Sequence, residues 1–340
     1  MLINVRGRSM RRRRFVFGLL SISALAPGLP ALRAQQPSRL RRVAVLMLYG
    51  EKDPEGQARA RAFREGLESK GWVLGKTIAI DFLWGVFDAD WTRLVTGQLQ
   101  QLAPDVIAVN SSTGLRAIEK AAGATPIVFI AVSEPVAQGF VASLAHPGGN
   151  LTGFSNLEAT LGAKWVGLLK ETVPAVKRIA FIYNPGNPGA MVTRESAQAA
   201  AKDFSLEFLD KPVAGLADIE SAIAELGREP NGALVLPPEP LTNAHRKRIV
   251  ELATALRFPV VSALRSIAKE GGLISYGTDI PTLFRQSAEY VDRILKGEKP
   301  AGMPVQQPTK FEMIVNLKSA KTLDIVVPAT ILARADEVME

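Results

Sequence analysis

Small hydroxyl side chains follow one of the apolar runs of this sequence, at a point where they could bind an anion. Ser111, Ser112 and Thr113 come shortly after the run at residues 105–109 and open a stretch with helical spacing. Hydroxyl groups at such a start cap the helix and leave backbone N–H groups available to a carboxylate. The alternative is simple capping without a ligand, and the residues alone leave both readings open.

An acidic residue follows the next apolar run. Ser133 and Glu134 come directly after residues 126–132. A buried glutamate needs a positive partner, and the ammonium group of a ligand would supply one. A salt bridge within the protein and plain exposure are the alternatives. Together with the preceding hydroxyl cluster, Glu134 predicts a site that could hold a zwitterion.

Further candidates lie after the first apolar run and after the runs of the second half of the chain. Tyrosine could wall an apolar slot, although packing in the core is an equally good explanation for it. The candidate ligand-binding residues of these positions are Tyr49, Asn184, Pro238, Ser262 and Tyr276.

Motifs of the common enzyme classes are missing from the sequence. It has no P-loop, no dinucleotide fingerprint after the first run, no G-x-S-x-G and no H-E-x-x-H. A zinc site or a serine–histidine catalytic site would have to use His146 or His245, and both are predicted to be surface residues. Carboxylate pairs that could act as acid and base leave no spacing signature. We therefore expect no catalytic residue, no cofactor and no metal.

Two series of strands and helices would position these candidates. Apolar runs alternate with amphipathic stretches over residues 41–153 and again over residues 156–279, and residues 280–340 add a crossover helix and a C-terminal segment that packs back on the lobes. Such runs are typical of parallel strands covered on both faces. The sequence thus predicts an α/β fold of two Rossmann-like lobes with parallel sheets. A ligand would bind where the carboxyl ends of both sheets meet.

The first 34 residues have the order of an export signal: arginines, an apolar stretch and a small residue, with cleavage expected near Ala34. The sequence RRRF at residues 12–15 also fits the twin-arginine pattern, and both export routes stay open. Residues 1–34 hold seven arginines and no acid, so removing them brings 41 basic residues against 33 acidic ones close to balance. We expect a periplasmic chain without a membrane span, without disulfides and without affinity for nucleic acid.

Several segments together resemble one known family over nearly all of residues 41–338. They are the run 126–129 with EPV at 134–136, HPGGNLTG at 146–153, LISYGTD at 273–279, ILKGEKP at 294–300, NLKSAK at 316–321, VP at 327–328 and RADEV at 334–338. The chain is similar to ABC transporter substrate-binding proteins of the tryptophan/tyrosine-binding type, which have the type I periplasmic-binding-protein fold.

The resemblance implies a clamshell that closes on a small molecule, with an aromatic amino acid as the leading ligand, and delivers it to an ABC permease and its cytoplasmic ATPase. Hinges are expected at residues 152–156 and 278–281. The family usually has aspartate where this chain has Glu134, a longer side chain that bears on ligand size and amine recognition. The alternatives are a periplasmic sensor of the same fold and an exported α/β hydrolase. The resemblance carries over ligand contacts to Ser111, Ser112, Thr113, Ser133, Asn184 and Tyr276.

Overall fold

Two β-sheets, each covered by helices on both faces, make up the described part of the chain. The computed structural model describes residues 39–85, 89–156 and 158–340. The predicted export signal and its cleavage site lie outside the described residues. Each sheet defines one lobe, so the predicted α/β fold with two lobes is confirmed.

The N-terminal lobe is built on a parallel sheet. Its strands are β1 (Arg41–Met47), β2 (Ile78–Trp84), β3 (Val106–Asn110), β4 (Ile127–Val132) and β5 (Leu151–Ser155). They lie in the order β2-β1-β3-β4-β5. The helices of this part of the chain are α1 (Pro54–Glu68), α2 (Ala89–Leu102) and α3 (Ser112–Ile118). Successive residues of β1 are buried in separate clusters on the two sheet faces, as expected for a strand covered on both sides.

The C-terminal lobe is built on a larger sheet. Its strands are β6 (Arg178–Tyr183), β7 (Glu207–Pro212), β8 (Gly232–Leu236), β9 (Val260–Ser262), β10 (Ile274–Thr278), β11 (Phe311–Asn316) and β12 (Glu337–Met339). They lie in the order β12-β11-β10-β9-β8-β6-β7. Strands β6 to β10 are parallel, whereas β11 runs antiparallel to β10 and β12 runs parallel to β11.

Helices surround the larger sheet, and one further helix returns to the first lobe. Those of the C-terminal lobe are α4 (Leu161–Thr172), α5 (Pro188–Asp203), α6 (Leu216–Leu226), α7 (Pro240–Ala244), α8 (Arg246–Ala255), α9 (Arg265–Glu270), α11 (Leu317–Thr322) and α12 (Ala329–Leu332). The returning helix is α10 (Ile280–Leu295), followed by a 3-10 turn at Pro300–Gly302.

Helix α10 follows a strand of the C-terminal lobe yet packs on α1 of the N-terminal lobe. The two helices touch closely at Gly66, where a Cβ atom would lie 2.6 Å from the carbonyl oxygen of Arg285. The chain after α10 then runs beside β5: the hydroxyl of Thr152 donates to the carbonyl of Met303 at 2.7 Å. The N-terminal lobe is therefore completed by residues that come late in the sequence.

Strand β5 forms at the end of the first predicted series and over part of the expected hinge at residues 152–156, although its sequence LTGFS lacks a continuous apolar run. The strand requires glycine at position 153, because its φ is 152° and a Cβ there would lie 2.0 Å from the carbonyl oxygen of Phe129 on β4. On the C-terminal lobe, His245 separates the short helix α7 from α8.

Candidate ligand-binding site

The carboxyl ends of strands from both lobes surround one small cavity, which we call the interlobe cleft. Its volume of about 40 Å³ leaves room for roughly three water molecules. An amino acid is several times larger, so the lobes must move apart to admit one. The residues that line the cavity are Tyr49, Arg59, Asn110, Ser111, Ala131, Asn156, Pro238, Glu239, Pro240, Leu264 and Ile280.

Arg59 brings a buried positive charge from α1 into the cleft. Its side chain is only 4% exposed, and the guanidinium carbon lies 4.5 Å from the centre of the Tyr49 ring. Its Nη1 donates weakly to Oδ1 of Asn110 at 3.5 Å, and its Nε is buried without a hydrogen-bond partner. Burial raises the pKa of Tyr49, so the phenol beside the guanidinium stays neutral. Nε is thus a buried donor that an anion entering the cleft can satisfy.

Glu239 brings a carboxyl group into the same cleft from the C-terminal lobe. It is 3% exposed; its Oε2 accepts the backbone N–H of Asn184 at 2.8 Å, while its Oε1 is buried without a partner. Burial raises the pKa of Glu239 to about 7, and hydrogen bonds from Asn184, Thr242 and Asn187 act in the opposite direction. No ion pair with Glu239 occurs within the described ranges. A cation that enters the cleft would therefore supply its missing partner.

Ion pairs hold the two lobes together at the mouth of the cleft. Asp53, which caps α1, lies 2.9 Å from Nη1 of Arg246 on α8. Glu55 lies 3.2 Å from Nζ of Lys269 on α9. With the small cavity, these contacts describe a closed arrangement of the lobes.

The backbone of the N-terminal lobe is strained beside the cleft. Ser111, Ala131 and Glu134 have φ values of 72°, 58° and 43°, in the left-handed region that favours glycine. Each follows or interrupts the end of β3 or β4. Such strain costs about 1–3 kcal/mol per residue and persists where the surrounding structure enforces it, commonly at ligand sites.

The structure brings three of the predicted site residues together in the cleft: Tyr49, Ser111 and Pro238. Ser111 also caps α3, with its Oγ accepting the N–H of Gly114 at 3.2 Å. Asn184 lies at the edge of the site and reaches it through the backbone N–H that binds Glu239. Its own side chain accepts from the N–H of Gly186 instead.

Other predicted residues lie close to the cleft but bond within the protein. The Oγ of Ser112 accepts the N–H of Ser133 at 3.1 Å, and the hydroxyl of Ser133 donates to Asn156 at 3.1 Å. Ser262 is fully buried and donates to the carbonyl of Leu236. Thr113 and Glu134 are partly buried and are not among the lining residues.

Tyr276 is placed away from the cleft. Its ring stacks on that of Phe311, with 5.9 Å between centres, and borders a different cavity on the C-terminal lobe. Its neighbours Ser275 and Gly277 face the lobe interface instead. The structure therefore does not bring Tyr276 to the other predicted ligand contacts.

The two buried charged residues were missed by the sequence prediction, although each left a signal. Arg59 lies four residues before Phe63 and eight before Leu67, both buried on α1. A charge in such a buried stripe calls for a partner or a ligand. Glu239 follows the end of β8 directly after two prolines, the position from which a parallel sheet reaches a ligand.

Within residues 39–85, 89–156 and 158–340, no helix combines the length and apolar character needed to cross a membrane. The same described residues contain no group of three or more His, Asp or Glu side chains placed to bind a metal ion.

Comparisons with known proteins agree with this architecture. A tyrosine-binding protein from Clostridioides difficile (strain R20291) is 27% identical over 265 residues, which cover 78% of this chain and 76% of that protein. A conserved domain protein from Vibrio cholerae superposes with a TM-score of 0.81 at 27% identity, covering 88% of this chain and 100% of that one. An ABC domain from Streptococcus pneumoniae in complex with L-Trp gives a TM-score of 0.81 at 23% identity with the same coverage.

The family model described as "ABC transporter substrate binding protein" matches residues 44–339, nearly all of the described chain. With two α/β lobes and a cleft between their strand ends, the chain belongs to the ABC transporter substrate binding protein family.

Proposed function

We propose that this protein is the periplasmic component of an ABC importer that binds an α-amino acid between its lobes and delivers it to a membrane permease. An aromatic side chain is the leading choice, since the relative from C. difficile is a tyrosine-binding protein and the S. pneumoniae structure contains L-Trp. The protein acts without catalysis: it holds its ligand and releases it unchanged.

The observation that carries this proposal is the pair of buried, incompletely satisfied charges in one cavity. Arg59 comes from one lobe and Glu239 from the other, and each has a polar atom without a partner. An α-amino acid carries a carboxylate and an ammonium group that satisfy both. A ligand with only one of these groups would leave the other buried charge unpaired, which is unfavourable.

Binding would be coupled to closure of the lobes. In an open form the ligand carboxylate binds Arg59, and closure brings Glu239 onto the ammonium group. The closed state then gains contacts that the open state lacks, and only that difference shifts the population. The ion pairs of Asp53 and Glu55 across the cleft mouth form in the same step.

Calorimetric titration of the purified protein with tyrosine, tryptophan, phenylalanine and leucine tests the proposal. Tyramine lacks the carboxylate, and 3-(4-hydroxyphenyl)propionate lacks the amine. We expect an intact amino acid to bind and each analogue to lose at least about tenfold in affinity, because one buried charge stays unpaired. Arg59→Met and Glu239→Gln should each weaken binding by about 100-fold.

Arg64→Met is the matched control, because Arg64 lies on the same helix but stacks on Phe82 outside the cleft. It should leave the ligand affinity unchanged. The proposal fails if no amino acid binds, or if the protein turns its ligand over. It also fails if a singly charged analogue binds as tightly as the amino acid and Arg59→Met or Glu239→Gln weakens that binding, which would place the analogue in the cleft.

A further inference from the structure

A large cavity lies outside the interlobe cleft, on the C-terminal lobe. It has a volume of about 790 Å³, within the usual range of small-molecule sites. Helix α4, strands β10 and β11 and the C-terminal segment enclose it, and none of its lining residues lines the cleft. We call it the α4 pocket; it is lined by Lys164, Gly167, Leu168, Lys170, Glu171, Phe204, Tyr276, Phe311, Met313, Arg334 and Asp336.

Flat apolar surfaces form the sides and floor of the α4 pocket. The rings of Tyr276 and Phe311 stack with 26° between their planes, and Phe204 is 43% exposed. On α4, Gly167 leaves the helix backbone uncovered, since a Cβ there would find nothing within 4 Å. Exposed aromatic surface beside an open helix backbone is the kind of surface on which a planar ring packs.

The α4 pocket is lined by two carboxylates and three cations, of which Lys170 donates to the carbonyls of Pro174 at 2.9 Å and Val176 at 3.2 Å. Glu171 accepts from Thr330 at 2.8 Å and pairs with Arg334, and these contacts lower its pKa. Asp336 accepts the N–H of Met313 at 2.8 Å. Both carboxylates are therefore satisfied by the protein itself.

Lys164 differs from these groups. Its Nζ lies 5.4 Å from the centre of the Phe311 ring and 5.8 Å from that of Tyr276. Its carboxylate partner, Glu158, lies 3.6 Å away, and both side chains are 44% exposed, so the pair is weak. An anion held against the two rings would lie within reach of this ammonium group.

We propose that the α4 pocket is a second small-molecule site, which binds an aromatic carboxylate with its ring on the wall of Tyr276 and Phe311 and its carboxylate at Lys164. Because the α4 pocket offers no unpaired carboxylate, its ligand needs no amine. The site is therefore independent of the proposed amino-acid site in the cleft.

Titration with 3-(indol-3-yl)propionate and with its primary amide tests this site. Both should bind one equivalent, the carboxylate about fivefold more tightly, because the contact with Lys164 is a partly exposed ion pair. Binding should also shift the NMR signal of the Trp165 indole N–H, which donates to the carbonyl of Tyr276 at 2.7 Å.

Gly167→Leu should abolish binding by filling the groove. Gly97→Leu on α2 is the matched control, because Gly97 is also a helical glycine with nothing within 4 Å. Lys164→Gln should retain binding but remove the preference for the carboxylate, which tests the site even if the leucine variant does not fold.

The proposal is overturned if neither probe gives a saturable signal, or if Gly167→Leu binds as well as the parent protein. It is also overturned if Arg59→Met or Glu239→Gln removes the binding, since the probe would then occupy the cleft. Loss of amino-acid binding in those two variants, with the indolepropionate signal intact, supports both sites separately.

Discussion

The two lobes meet at the same cleft but store free energy there in different ways. In the N-terminal lobe, three residues with left-handed backbone lie at the ends of β3 and β4: Ser111 and Ala131, which line the cleft, and Glu134 beside it. The left-handed non-glycine residues of the C-terminal lobe follow helices or precede strands, away from the cleft; they are Ser205, Asn231, Arg257 and Asp324. The N-terminal edge is thus strained, and the C-terminal edge is relaxed.

The C-terminal lobe contributes an unfavourably buried carboxyl group instead of a strained backbone. Glu239 has an ordinary extended backbone, with φ −151° and ψ 155°, but a carboxyl group that burial has driven to a pKa of about 7. The two lobes thus prepare the cleft for a ligand in different ways: the N-terminal lobe offers a preformed loop, and the C-terminal lobe offers an unpaired charge. Each half can be tested separately.

The largest expected effect concerns the buried charge. Because the pKa of Glu239 is about 7 in the folded protein against an ordinary 4.5, the folded state binds this proton more tightly than the unfolded state. The resulting stability is fully present below about pH 4.5 and is lost as the pH rises through about 7, a difference of about 3 kcal/mol. Glu239→Gln removes this pH-dependent loss of stability, because the glutamine side chain does not titrate.

Urea unfolding of the parent protein and of Glu239→Gln, without ligand, at about pH 4 and about pH 8, measures this difference in the free energy of unfolding. The stability of the glutamine variant relative to the parent should rise by about 3 kcal/mol between these two conditions. If the free energies of unfolding of the two proteins depend on pH in the same way, burial does not raise the pKa of Glu239.

A smaller effect is expected from the ion pair between Asp53 and Arg246, which joins the two lobes at the mouth of the cleft. Asp53→Asn keeps an acceptor for the N–H groups of Glu55 and Gly56 but removes the charge that faces Arg246 at 2.9 Å. The closed state should lose stability relative to the open one, so ligand dissociation should become about tenfold faster. Stopped-flow release of a bound amino acid measures this rate.

Asp279→Asn is the matched control. Asp279 caps α10 through the N–H of Thr282, and none of the ion pairs of the described residues involves it. If both variants release ligand at the parent rate, the ion pair does not hold the lobes closed.

The smallest effect concerns the strained edge. Ser111→Gly should raise the free energy of unfolding by about 1 kcal/mol, because its φ of 72° and ψ of 158° suit glycine almost alone. The lost cap subtracts only a few tenths of a kcal/mol. Ligand affinity should fall about threefold, since the loop is then less preorganised.

Ser205→Gly, at φ 55° in the C-terminal lobe, should be stabilised similarly without any change in ligand affinity. Thermal unfolding with parallel titration calorimetry checks both variants. A destabilised Ser111→Gly variant would mean that the serine cap outweighs the backbone strain.

The sequence predicted the lobes well because buried strands such as β3 and β8 are continuous apolar runs. It placed Tyr49, Ser111 and Pro238 in the cleft because parallel strands end at one edge. It could not fix Tyr276, since side chains alternate across a strand and a shift of one residue changes the face. The helical spacing places Arg59 on the buried stripe of α1, but which groups face it depends on the packing of elements far apart in the chain, which no local pattern reveals.

The late position of α10 in the chain has a consequence for biosynthesis. The core of the N-terminal lobe includes Phe284 and Val291, which lie more than 120 residues after its last strand, β5. The ribosome must therefore make most of the chain before this core can assemble, which takes tens of seconds at about 5–20 residues per second. During that interval the nascent polypeptide stays incompletely folded and accessible to chaperones.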